Sequence, residues 1–145
     1  MQGGQGSIST VHANSAKDTI SRMVTLVTSA KPNLSTEDAQ RLVAQHVNLI
    51  VHVGLVDETD IGGRKHRFVD EIVALDVSDD GPTAYEMEYL WRPGPDERAT
   101  PTGTRPTWLK ELRRRGFDAR YLTEGYSTWT EPLELLVSDD EEDAA

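Results

Sequence analysis

The run Gly3-Gly4-Gln5-Gly6-Ser7-Ile8-Ser9-Thr10-Val11-His12-Ala13-Asn14-Ser15 constrains this chain more than any other stretch. A glycine-rich loop leads into a β-branched segment, Ile8 to Val11, whose composition predicts a short strand. The strand ends in His12, and Asn14 and Ser15 supply the short polar side chains that cap a helix. Loop, strand, histidine and capped helix in that order bring a polar side chain to the carboxyl edge of a parallel sheet, where α/β proteins bind ligands. The unit stands at the start of the sequence, where fraying is the default, so its strand calls for a partner.

Behind it the chain reads as two helices and a meander. Ser15-Ala16-Lys17-Asp18 opens a helix to about Ala30, with Ile20, Met23, Val24 and Val27 at the spacing of one buried stripe. Lys31-Pro32-Asn33 stops it. Ser35-Thr36-Glu37-Asp38 starts a second helix, with Leu34 as its hydrophobic staple and Ala39, Leu42, Val43 and His46 as its inner face. Val47 to Val56 alternates as a strand: Val47, Leu49, Val51, Val53 and Leu55 share one face, and the other is mixed. Asp57 to Gly63 reads as a hairpin loop, Arg64 to Val77 as a second strand, Asp79-Asp80-Gly81-Pro82 as a turn, and Tyr85 to Trp91 as a third strand. Together they predict a small antiparallel meander. Arg92 to Pro106 is rich in Pro, Gly and Thr and reads as a linker or extended loop. Thr107 to Arg115 predicts a short helix with Trp108, Leu109 and Leu112 inward and Gly116 just past its end. An apolar patch at Leu133 to Val137 precedes the acidic run Asp139 to Asp143.

Composition excludes several classes. With 145 residues the chain is one domain at most, and 37% hydrophobic against 28% charged residues describes a soluble globular protein with polar tails. A net charge of -10 argues against general affinity for nucleic acid. Cysteine is absent, which removes disulfides and thiolate metal sites. No apolar run approaches the roughly 18 residues of a membrane span, and Met1-Gln2-Gly3-Gly4 opens no signal peptide, so a cytoplasmic location is expected.

The opening segment also resembles the histidine box of the type II/type IV secretion ATPases, in particular the Tad/Flp pilus-assembly branch. That pattern runs roughly G-x-x-G-S-x-x-T-x-H-A-x-S, followed by a helix with an arginine. Gly3, Gly6, Ser7, Thr10, His12, Ala13, Ser15 and Arg22 fall in step, while Gly4 stands where members often carry His or Asn. The order of elements behind the box is similar too: Asn48 to His52, Arg67 to Ile72, then Pro101 to Pro106 with the Leu109 to Phe117 helix, so the resemblance covers residues 1 to about 120.

The resemblance implies the C-terminal part of a RecA-like P-loop NTPase core of α/β class, with an antiparallel strand meander and a short C-terminal helix. Residues 1–92 would belong to the ATPase domain and 93–122 to a linker and C-terminal helix, while the acidic run Asp139 to Asp143, by composition alone, predicts a largely disordered acidic tail over 123–145. Members of the family are hexameric, bind ATP and Mg²⁺, and dock from the cytoplasm on an inner-membrane platform protein to drive export of pilin or another substrate. His12 would sense phosphate, Arg22 would serve the pocket or the subunit interface, and Gly6, Ser7 and Thr10 would line the cofactor site.

Read without the family, each of these residues has a second role open to it. His12 can be a hydrogen-bonded structural residue, Ser7 and Thr10 can satisfy backbone groups around the glycine loop, and Arg22 can be a solvated helix arginine. His46, His52 and His66 show no metal-ligand spacing and no carboxylate partner pattern, so no metal site is expected. Arg113-Arg114-Arg115 complements a helix C-terminus rather than clamping nucleic acid.

No G-x-x-x-x-G-K-[ST] run occurs in the 145 residues, and the family's Walker B carboxylate lies before its histidine box. The expectation is a truncated chain that carries one wall of a nucleotide site and turns over no ATP alone. Two other readings stay open. One is a non-catalytic module that co-assembles with full-length ATPase subunits. The other is an unrelated small α+β binding protein, in which the Ile8 to Val11 strand would be protected inside the fold.

Overall fold

The computed structural model describes residues 6–78, 83–123 and 129–136. Ser15 is extended, and its Oγ accepts the Asp18 amide hydrogen at 3.0 Å, so the expected cap is made and helix α1 runs Ala16–Ala30. Ile20 and Val24 are buried, with Met23 and Val27 packed partly against them. Ser35 repeats the device. Its Oγ accepts the Asp38 amide at 3.0 Å and donates to the Asp38 carboxylate at 2.6 Å, opening α2, Thr36–His46. Ala39, Val43 and Ala44 form the inner face of α2, and His46, expected there, is exposed instead. Its Nδ1 lies 3.0 Å from the Leu42 carbonyl, so the ring folds back on an acceptor at the end of its own helix.

The strands β1 (Leu49–Asp57), β2 (Lys65–Val77), β3 (Tyr85–Pro93) and β4 (Ala99–Pro101) form one sheet in chain order, every pair antiparallel. The meander is therefore as expected, and β4 is an addition to it. Ala99–Pro101 lies in the stretch read as a linker, yet it pairs with Trp91, Arg92 and Pro93. Its proline, Pro101, and those around it hid it, because proline donates nothing to a ladder, but at a sheet edge that missing donor is tolerated. The β1–β2 connection turns at Gly62, whose φ of 89° suits a residue without a side chain. The expected turn at Asp79 to Pro82 lies outside the described residues.

Helices α1 and α2 cover one face of the sheet, enclosing Ile20, Val24, Ala39, Val43, Ile50, Val73 and Leu75. On the opposite face, helix α3 (Leu109–Arg114) and the 3₁₀ turn Ala119–Leu122 bring Leu109 and Leu122 onto Ala74 and Leu90. Gly116 follows α3 with φ 94°, as its position predicted. This second layer stops short of β1. Leu49, Val51, Val53 and Leu55, the apolar face of that strand, are 44%, 49%, 55% and 53% exposed. Among the described residues β1 is also the first strand of the sheet, with one open edge.

At the start of the chain a further expectation changes. Residues 6–13 form no strand, Ile8 is 98% exposed, and the parallel sheet edge expected of Ile8 to Val11 is not formed by the described residues. A β-ladder needs a second backbone alongside, and no described strand supplies one. At the other end, residues 129–136 lie on the hairpin end of the sheet. Trp129 Nε1 donates to the Ala99 carbonyl at 3.0 Å, and the Leu136 amide donates to Glu58 Oε1 at 2.6 Å. The Arg98 guanidinium stands 4.7 Å from the Trp129 ring centre, a cation–π distance. The expectation of a largely disordered tail from residue 123 takes in this docked stretch. Its acidic run, Asp139 to Asp143, and Val137 lie outside the described residues.

Candidate functional site

The segment that carries the candidate residues is tied to the sheet at its far end, where it enters α1. The Ala16 amide donates to Glu71 Oε2 at 2.7 Å, so a β2 carboxylate sits on the positive end of the helix. That amide and the Asp18 amide already have acceptors within the chain, in Glu71 and Ser15. Three residues earlier, the Ala13 carbonyl lies 3.2 Å from His52 Nε2. The other ring nitrogen, Nδ1, lies 2.7 Å from Asp70 Oδ1.

Sheet register explains how that histidine and that carboxylate meet. His52 pairs with Glu71 and Val53 with Val69, so Asp70 is the extra residue of a β-bulge. Bulges re-aim a side chain without breaking the strand, and here the result is an Asp70 carboxylate against His52. Gly54 supplies the room. A Cβ at that position would lie 2.9 Å from Asp70 Oδ2 and 3.2 Å from the Phe68 ring. Burial alone would lower the His52 pKa. The Asp70 hydrogen bond, the Ala13 carbonyl and the negative charges of Asp70 and Glu71 outweigh it, and the pKa is raised above 6.5. Burial also raises the Tyr89 hydroxyl, with the Glu71 charge adding to it.

The five residues expected to form the site sit on the solvent side of this anchor. Gly6, Ser7, Thr10 and His12 lie along one exposed segment, and Gly6 has φ 96°. Arg22 is exposed on α1, six positions past its first residue and about 9 Å along the axis. Among the described residues none of Ser7, Thr10, His12 and Arg22 has a side-chain hydrogen bond or ion pair. Two open clefts, of about 370 and 400 Å³, lie elsewhere. One is lined by Tyr89, Arg92 and Thr102, the other by Arg64, Arg67 and Trp129, and neither includes a candidate residue. Among the described residues the candidate side chains thus form an exposed line, not a closed pocket. Among the described residues no wall faces them and no cluster of metal-ligating side chains occurs, so these groups by themselves do not fit ATP with its Mg²⁺.

Sequence reasoning missed the carboxylates beside two histidines. His52 has Asp70, and the buried His66 has the buried Glu58, with Nε2 and Oε2 3.4 Å apart. Neither pair has a spacing signature, because hairpin register and a bulge create both. Near the same turn, Lys65 and a hydrogen bond from Thr59 lower the Asp57 carboxyl to about 2.

Residues 1–93, from the glycine–histidine segment through α1, α2 and β1 to the end of β3, match the family model for Type II/IV secretion system proteins. The chain belongs to that family. Comparison with curated proteins and with solved structures gives no match. Membership sets aside the unrelated binding protein, and β4, α3 and the docked stretch at 129–136 lie beyond the matched span.

Proposed function

We propose that this chain is the C-terminal portion of a RecA-like secretion-motor ATPase, of the kind that powers pilus assembly by the Tad/Flp branch. In the assembled, cytoplasmic motor, His12 senses the nucleotide phosphate, and Gly6, Ser7 and Thr10 line the pocket. Arg22 serves the pocket or the neighbouring subunit. The observation that carries the reading is a segment fastened at Ala13 and Ala16 whose Ser7, Thr10 and His12 side chains are exposed and, among the described residues, make no hydrogen bond. A segment anchored at its inner end, with its polar side chains turned outward, suits one wall of a composite site whose other wall arrives on assembly. A phosphate-cradling loop, G-x-x-x-x-G-K-[ST], does not occur in these 145 residues, and in the proposed motor that loop supplies the opposite wall, with ATP and Mg²⁺, within a hexamer. Coupling to a membrane platform protein and to export of pilin or another substrate follows from that assembly.

A second reading is favoured by the uncovered face of β1: a non-catalytic module that docks on full-length subunits and tunes them. One mixing experiment separates the two. The purified chain is assayed for ATP turnover alone, then with P-loop-bearing subunits of the same family, as wild type and as His12→Ala. The first reading expects no turnover alone, and an effect on the mixture that His12→Ala removes. An effect that survives His12→Ala supports the module. Turnover by the chain alone overturns both.

A further inference from the structure

His52 lies between two groups that only accept hydrogen bonds. The Asp70 carboxylate is 2.7 Å from Nδ1, and the Ala13 carbonyl is 3.2 Å from Nε2. A neutral imidazole carries one N–H, so it satisfies one of these acceptors and turns a lone pair toward the other. The imidazolium carries two and satisfies both. We infer that His52 is a positioning residue for the His12 segment, holding the backbone one residue past His12 only while both ring nitrogens are protonated, so that the segment's attachment follows proton concentration.

The charges around the ring act in one direction. From β2 it faces Asp70 and Glu71, both acidic, and from the N-terminal segment it faces a carbonyl dipole. No cation faces it among the groups that act on it, which agrees with its raised pKa. When the proton leaves, it leaves from Nε2, because the carboxylate at Nδ1 holds its N–H in a charge-assisted bond. The contact that opens is therefore the one to Ala13. The Ala16 amide stays on Glu71, whose bond needs no proton from His52. Deprotonation thus frees residues 13 and 14, while Ser15 stays as the cap of α1 and the first turn of the helix keeps its place. The link from this latch to phosphate sensing rests on the function proposed above, but the latch itself does not.

The test uses the full chain and no nucleotide, so its failure is distinct from failure of the functional reading. The ring nitrogens of His52 are followed by ¹H–¹⁵N NMR between about pH 5.5 and 8.5, together with the Ala13, Asn14 and Ala16 amides. The expected result is a His52 midpoint above 6.5, shared by Ala13 and Asn14 and not by Ala16. In His52→Gln the Ala13 and Asn14 transition disappears. In Asp70→Asn both midpoints fall together. Ala13 and Asn14 amides that ignore the His52 titration overturn the inference, as does a transition in His52→Gln at the wild-type midpoint. Should a variant fail to fold, coincidence or divergence of the midpoints in the wild-type chain decides alone.

Discussion

His52 and Asp70 stand eighteen positions apart in the chain and 2.7 Å apart in the fold. A histidine whose folded pKa is raised contributes stability that is complete below its unfolded value of 6.5 and is lost as pH climbs through the raised value. Asp70→Asn should therefore cost about 1–3 kcal/mol near pH 6, and less at alkaline pH, in urea unfolding at the two conditions. An equal cost at both would show that the pair does not titrate with the fold. Gly54→Ala acts on the same pair by another route. Its methyl enters the space of Asp70 Oδ2, so the carboxylate moves off and the His52 midpoint drops toward 6.5 on NMR titration.

At the scale of elements, what the sequence disclosed is what local chemistry controls. Ser15 and Ser35 announce their helices because a cap acts within three residues, and Ile20 and Val24 announce a buried face because helical spacing is fixed. Ser15→Ala should lower stability by about 1 kcal/mol. Ile20→Ala, emptying one of the most fully buried positions, should lower it by about 2–5 kcal/mol, both read from thermal unfolding. What stayed hidden depends on partners distant in sequence. Ala99–Pro101 becomes a strand only because β3 is beside it, and Ile8 to Val11 fails to become one because nothing described is. His46 turned outward for a carbonyl of its own helix, which apolar periodicity does not report. His52 and His66 met carboxylates through register and a bulge. The candidate site was thus legible as a list of residues and illegible as a geometry: its anchor points, His52 and Glu71, lie far along the chain from the segment they hold.

The molecule as a whole is a sheet covered on one face by α1 and α2 and on the other by α3 and its neighbours, with β1 uncovered on its apolar side. Both the exposed strand and the exposed His12 segment belong to the span that carries family membership. Val53→Lys, on the uncovered face, should change stability by no more than about 0.5 kcal/mol. Should the β1 face be a contact in the assembly, the same substitution weakens co-elution with P-loop-bearing subunits. The most direct measurement is amide hydrogen exchange over residues 7–12, first in the chain alone and then with such subunits and a non-hydrolysable ATP analogue. The account predicts exchange close to the unprotected rate in the isolated chain, beside a slow α1, and protection gained on assembly. A strand at Ile8 to Val11 already protected in the chain alone, or a segment as open in the assembly as out of it, would contradict it.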